Sequence, residues 1–192
     1  MGSIGLKRDR PDAINHFFNR ARTAAERSTC LRRKIGAVII GSDGVELSSG
    51  YVGSPRKTPH CIEVGKCIRI EAGINPGENY ELCRSAHAEQ NAIINAARVG
   101  ISIFGGEMYI HSERIKGAYN GKRKRSSRIY GPCTICKKEI INSGLTAVHM
   151  REEGIGDETF TIEDLRRMLV EEEEEWHKKR CNQSETTESR TS

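Results

Sequence analysis

Aromatic residues are scarce: they make up 5% of the chain, with one tryptophan, against 30% charged residues. That scarcity excludes an aromatic core and predicts an aliphatic one beneath a strongly charged surface. No apolar run approaches the ~20 residues that a membrane-spanning helix requires. The opening MGSIGLKRDRPD is basic but lacks the apolar stretch of a secretory leader. These absences predict a soluble cytoplasmic protein with no membrane partner. No internal repeat is present, which argues against a solenoid. The formal net charge of +5 is modest. It suits an anionic substrate without by itself requiring nucleic acid.

What the chain does have is cysteine, seven in 192 residues. In a cytoplasmic setting these predict metal binding or catalysis rather than disulfides. The odd count leaves one over, and Cys181, in a polar tail, is the candidate. The length suits one domain with modest extensions. We expect an N-terminal extension over 1–10, a domain over 11–180 and a disordered Ser/Thr-rich tail over 181–192.

Hydrophobic periodicity places a helix over 12–28 with Ala13, Phe17, Ala21 and Ala24/Ala25 inward. A β-branched strand follows over 34–40, and a turn at 41–44 leads to a second strand from Val45 to about Val52. Residues 53–86 form a long insert holding His60, Cys61, Cys67 and Cys83. Ordered segments of that length are uncommon unless functional or tied down. A helix over 87–99, a short strand over 108–110, a basic insert over 112–131, a helix over 133–142 and a strand over 145–150 come next. Gly144 is the expected cap of that helix. Thr161-Ile-Glu-Asp164 reads as a capping box opening a last helix, with Ile162, Leu165, Met168/Leu169 and Trp176 along one face. The order predicts an α/β sandwich around a mixed sheet.

Two strings carry chemistry: His87-Ala-Glu89 and Pro132-Cys-Thr-Ile-Cys136. Each opens an expected helix. A catalytic zinc needs three protein ligands and one open position. His87, Cys133 and Cys136 offer one imidazole and two thiolates. Cysteines three apart in a first helical turn point the same way, and free backbone N–H groups stabilise their thiolates. Zinc lowers the pKa of bound water to roughly 7. Glu89, two residues from His87, is not needed as a ligand and can shuttle protons. A structural zinc knuckle or a set of buried free thiols is the simpler reading of either string alone. A structural zinc, however, wants a fourth ligand and gives Glu89 no role.

The pair H-x-E and P-C-x-x-C is the established signature of zinc deaminases. The chain resembles the deoxycytidylate (dCMP) deaminase family, within the cytidine deaminase superfamily, over roughly Arg10 to Met150. The resemblance rests on 27–39 (RSTCLRRKIGAVI), Gly50-Tyr-Val-Gly-Ser-Pro55, His60-Cys61 with Cys67 and Cys83, 87–93 (HAEQNAI) and the Pro132–Cys136 string. It implies a three-layer α/β/α fold with a five-stranded mixed sheet. It also implies hydrolysis of dCMP to dUMP and ammonia by attack of zinc-activated hydroxide at C4. A homohexamer or similar oligomer and dCTP/dTTP effectors are implied as well. Residues expected at the substrate are Ala88, Gly131, Arg33, Tyr51, Val52 and Tyr130. Two departures stand out. The family's Gly-Tyr-Asn-Gly has Val52 at the Asn position, and valine makes no side-chain hydrogen bond, so sugar recognition must differ. The segment before Pro132 is also long, with seven Lys or Arg between Arg114 and Arg128.

Cys30, Cys61, Cys67 and Cys83, with His60 beside them, suit a second, structural zinc. Whether His60 replaces one cysteine stays open, as does a reading of unrelated buried thiols. The Lys122–Arg125 run, flanked by Tyr119 and Tyr130, fits a phosphate or nucleic acid grip, and equally a solvated loop. His111 and His149 read as structural. Three functions therefore compete: a free-nucleotide deaminase, a deaminase of a base in single-stranded nucleic acid, and a non-catalytic zinc module.

Overall fold

The computed structural model describes residues 10–75, 78–118 and 128–188. Helix α1 (Ala13–Ala25) begins at Asp12, whose carboxylate accepts from Asn15 N at 2.8 Å, as an N-cap should. Its buried side is Phe18, Ala21 and Ala25. The expected stripe through Phe17 is thus rotated by about one residue. Phe17 instead sits at the margin, its ring 5.0 Å from that of Tyr109.

Strand β1 (Arg33–Ile40) and strand β2 (Glu46–Tyr51) form the expected hairpin. The insert carries two short helices, α2 (Cys61–Val64) and α3 (Ile68–Glu71), and a 3-10 turn over Tyr80–Leu82. Then come α4 (Ala88–Arg98), β3 (Glu107–Arg114), α5 (Thr134–Asn142) and β4 (Ala147–Glu152). A further strand, β5 (Gly156–Thr161), precedes α6 (Ile162–Glu188). Helix α6 continues through 181–188, where composition had suggested a disordered tail. Its capping box is present: Thr161 N donates to Asp164 at 2.9 Å and Asp164 N donates to Thr161 Oγ1 at 3.1 Å. Trp176 is exposed rather than part of the inward face.

The sheet order is β2-β1-β3-β4-β5, with only β3 and β4 parallel. This is the expected five-stranded mixed sheet. Side chains alternate across it. Val38, Ile40 and Tyr109 meet α1 on one face. Ala37, Ile39, Met108, Ile110 and Val148 meet α4, α5 and α6 on the other, through Ala88, Ala92, Cys136, Ile140 and Leu165. The core is in three layers; its buried set toward α4, α5 and α6 is aliphatic as expected, whereas the layer under α1 also buries the aromatic rings of Phe18 and Tyr109.

Two glycines set how closely helices approach. A Cβ on Gly36 would stand 2.2 Å from Ala21 O of α1. One on Gly50 would stand 2.3 Å from Ala92 N and 2.5 Å from Ala88 O of α4. Backbone atoms cannot step aside as side-chain tips do. Gly50→Ala is therefore expected to cost about 3 kcal/mol, lowering the thermal midpoint by roughly 5–10 °C. An unchanged midpoint would mean that α4 does not rest on β2 in this way. Among the described residues no helix is long and apolar enough to cross a membrane.

Candidate metal centre

Helix α4 is laced to β2 before any ligand is considered. Asn91 and Asn95 donate to Tyr51 O and Ser49 O, each at 2.8 Å, and Ser48 Oγ donates to Ala92 O at 2.7 Å. Just before the helix, Gly53 and Ala86 exchange backbone hydrogen bonds of 3.2 and 2.9 Å. These ties fix His87, the N-cap residue, whose backbone is still extended.

On the neighbouring helix Cys133 takes the same N-cap role, and Cys136 lies in the first turn. Lys137 N closes that turn onto Cys133 O at 2.9 Å. Helix α6 holds this end of α5 from outside. Glu172 accepts from Thr134 Oγ1 at 2.8 Å and pairs with Lys137 Nζ. Lys137 is 1% exposed, whereas Glu172 is 42% exposed. Glu172→Ala would strand a buried ammonium and is expected to cost about 2–3 kcal/mol. Lys137→Met, which keeps the volume and drops the charge, should cost less. Denaturant midpoints of the two variants check this, and the reverse ranking would contradict it.

The three expected ligands come together. His87 Nδ1 lies 3.3 Å from Cys133 Sγ and 3.3 Å from Cys136 Sγ. Tetrahedral bonds of zinc to nitrogen and sulfur subtend about 3.6 Å, so the trio fits that ion and leaves a fourth direction free. Among the described residues this is the only group of three or more His, Cys, Asp or Glu whose ligand atoms lie within 4.8 Å of one another. The Cys136 hydrogen bond pulls the Cys133 thiol down to about 4, with His87 assisting. The same bond, followed by burial, pushes Cys136 far above its ordinary value. Burial opposes a proton on His87, but the Cys133 contact and the Glu89 and Glu139 charges outweigh it and raise the imidazole overall.

Glu89 sits in the first turn of α4, 7% exposed. Burial raises its pKa against the pull of His87. A carboxyl there can hold or release a proton beside the metal position. Tyr80 packs edge-on against the His87 ring at 5.1 Å and lies under the Arg69 guanidinium at 4.4 Å.

The remaining expected residues are less concentrated. Ala88 is fully buried, and Val52 is 6% exposed. Tyr51 ends β2 and is half-buried. Gly131, at φ +77°, comes within 3.1 Å of Met168 when given a Cβ. Tyr130 is 62% exposed, under Arg128 at 4.6 Å. Arg33 is occupied with Ser112 at 3.0 Å and Glu152 at 3.5 Å. Residues 119–127, with Tyr119 and the Lys122–Arg125 run, lie outside the described residues, as does the Cys181 side chain. His149 bonds Glu107 and Thr159 and stacks on Tyr109, a structural role. His111 is buried under α1, on the face of the sheet away from the ligands.

In the second cluster, burial raises the Cys83 thiol, with Cys30 and Cys61 near enough to add to the shift. Arg32 N donates to Cys30 Sγ at 3.4 Å, and Cys61 Sγ lies 3.8 Å from Ser85 Oγ. Cys67 is the buried N-cap of α3. His60 Nδ1 is buried and has no hydrogen-bond partner among the described residues. These groups do not close into a set of the kind formed by His87, Cys133 and Cys136.

Several residues escaped the sequence reading. Buried hydroxyls of Thr29 and Ser54, flanking Val52 in the fold, have no partner among the described residues. So does Arg84 Nη1, in a cleft of about 270 Å³ that includes Tyr80, His87 and Ile135. Gln90, Glu139 and Glu172 support the ligand-bearing helices. For Arg84 the signal was its place three residues before His87. For the others there was none.

Comparison with known proteins agrees with this geometry. The family described as cytidine and deoxycytidylate deaminase zinc-binding region matches residues 11–152. A deoxycytidylate deaminase of Schizosaccharomyces pombe is 36% identical over 95 residues, covering 50% of this chain and 29% of that protein. The chain thus spans about three tenths of that relative's length. A deoxycytidylate deaminase of Mycobacterium phage D29 is 31% identical over 144 residues, covering 72% of this chain and 94% of that protein. The crystal structure of dCMP deaminase from cyanophage S-TIM5, in complex with dCMP and dUMP, shares the fold. Its TM-score is 0.54 at 24% identity, with coverage of 85% of this chain and 94% of that one.

Proposed function

Because the chain belongs to the cytidine and deoxycytidylate deaminase zinc-binding family, we propose that it hydrolyses the 4-amino group of a cytosine nucleotide, dCMP foremost, giving dUMP and ammonia. One observation carries the reading: a buried carboxyl, Glu89, stands two residues from an imidazole that meets two thiols at a pair of helix starts. His87, Cys133 and Cys136 would hold the zinc. Bound there, zinc supplies the Lewis acidity that makes water nucleophilic near neutral pH. Glu89 takes a proton from the attacking water, delivers it to ring N3 and then serves the leaving amine. Its burial favours the proton-bearing form, which suits a group that must give the proton back.

Substrate selection belongs to the same proposal. The Val52 side chain cannot hydrogen-bond a sugar hydroxyl. The hydroxyl of Thr29, buried and without a partner among the described residues, belongs to a residue whose N–H donates to Val52 O at 3.1 Å, and is the candidate to take over that function. The relative from phage D29 supports a deoxynucleotide. A second, structural zinc at Cys30, Cys61, Cys67 and Cys83, with His60 as an alternative ligand, is supported by the nearness of Cys30 and Cys61 to Cys83 and by a buried His60 nitrogen with no partner among the described residues. A homohexamer and control by dCTP and dTTP extend the family reading.

The test is a panel of dCMP, CMP, dCTP, deoxycytidine and single-stranded DNA, with ammonia release as the signal. Release from dCMP in preference to the others is the expected result. Release from DNA alone would replace the proposal with a nucleic-acid deaminase. Release from none would leave a non-catalytic zinc module. Metal analysis accompanies it, and one zinc per chain instead of two would remove the second site.

A further inference from the structure

The ligands arrive on two helices that are anchored separately. Helix α4 is tied to β2 through Ser48, Asn91 and Asn95. The start of α5 is tied to α6 through Glu172. A metal that must touch both helices demands that their relative position be set to a few tenths of an ångström. One side chain spans the gap. Gln90 Oε1 accepts from the backbone N–H of His87 at 2.9 Å, and Gln90 Nε2 donates to Glu139 Oε1 at 2.9 Å. Glu139 lies three residues beyond Cys136 on α5, so helical spacing puts the two on one side of that helix. Both Gln90 and Glu139 are half-buried. Apart from contacts among His87, Glu89 and the two cysteines, this is the direct side-chain hydrogen bond from α4 to α5 among the described residues.

We infer that Gln90 and Glu139 form a strut that sets the distance between His87 and the cysteine pair, making Gln90 a positioning residue for the metal. The amide is suited to the task because it accepts at one end and donates at the other, and so holds a backbone N–H and a carboxylate at once. The strut also places a negative charge near Cys136 and His87. Outer-shell carboxylates of this kind favour a bound dication and typically alter metal affinity 10–100-fold. The inference rests on the metal centre assigned above and not on the identity of the substrate.

The test uses the full chain loaded with zinc, and Gln90→Glu, Glu139→Gln and the double exchange. Gln90→Glu sets two carboxylates against each other. In the double exchange, a glutamate at 90 still accepts from His87 N–H and now receives the amide of residue 139. The readouts are the rate of zinc release to a chelator and the absorption spectrum of the cobalt-loaded protein. Zinc release should quicken roughly 10–100-fold in Gln90→Glu and return to within a few-fold of the parent in the double exchange. The cobalt spectrum should be perturbed and restored in parallel. Melting of the metal-free chain identifies any variant that is merely unstable, and Gln90→Leu serves as a second removal of the strut. Unchanged release in both Gln90 variants, or a double exchange no better than Gln90→Glu, would overturn the strut. Failure of the parent itself to hold zinc would instead overturn the metal centre.

Discussion

Glu89→Gln will retain its zinc and lose roughly 10²–10⁴-fold in turnover, the range that a positioned acid–base group contributes. The two halves of this expectation have separate grounds. Zinc stays because the gathered ligand set is His87, Cys133 and Cys136, with no carboxylate needed to close it. The fold stays because glutamine matches the size of glutamate and carries no charge into a position 7% exposed. Burial already favours the uncharged form of Glu89, so the substitution removes a group that is costly to ionise. What disappears is the exchangeable proton between the attacking water, ring N3 and the leaving amine. The measurement pairs ammonia release from dCMP with metal content per chain. Full turnover with the metal in place would strip Glu89 of its role. Loss of both together would make it a ligand or a structural residue.

How much of this was legible in the sequence depends on the range over which each feature acts. The ligands were legible because their signals are local. Two cysteines in one helical turn, and a histidine two residues from a glutamate, are short patterns with few alternative uses. The β1–β2 hairpin was legible from its β-branched run and its turn. Strand β5 was not read from the residues, although the family resemblance implied a fifth strand. Its sequence, Gly156-Asp-Glu-Thr-Phe-Thr161, is mostly exposed, with Phe160 half-buried, and it is defined by pairing with β4 at the sheet edge. An edge strand with little apolar alternation looks like a loop. The last helix was begun correctly at its capping box. Its extension through 181–188 was not read, because a polar stretch rich in Ser and Thr looks like a disordered tail whether or not it is helical. The Gln90–Glu139 and Lys137–Glu172 links join positions 49 and 35 residues apart. No periodicity encodes such pairs, and only the packing of α4, α5 and α6 creates them.

Cys136→Ser should abolish metal retention at the centre of His87, Cys133 and Cys136 and lower the stability toward that of the chelated parent. The substitution changes one atom in size and softness. A serine hydroxyl stays protonated at neutral pH and is a poor zinc ligand, whereas thiolate sulfur binds the ion well. Cys136 is fully buried against Ile140, Leu165 and the sheet, so serine fits the space and the core loses little packing. The effect should therefore be carried by the metal, and should exceed the 10–100-fold expected for removing an outer-shell partner. A ligand that binds only the folded state stabilises it by about 4 kcal/mol at a thousand-fold excess over its dissociation constant. The parent without chelator should accordingly melt well above the variant, and the parent with chelator should melt close to it. Acidification should mimic the chelator, because all three ligands take up protons as the metal leaves. Dialysis followed by metal analysis gives the decisive number. If the cluster around Cys83 also holds an ion, the count per chain falls from two to one in Cys136→Ser, and otherwise from one to none. A variant that kept the parent's full complement after dialysis would show that Cys136 does not hold the metal, and the proton chemistry assigned to Glu89 would then lack its partner.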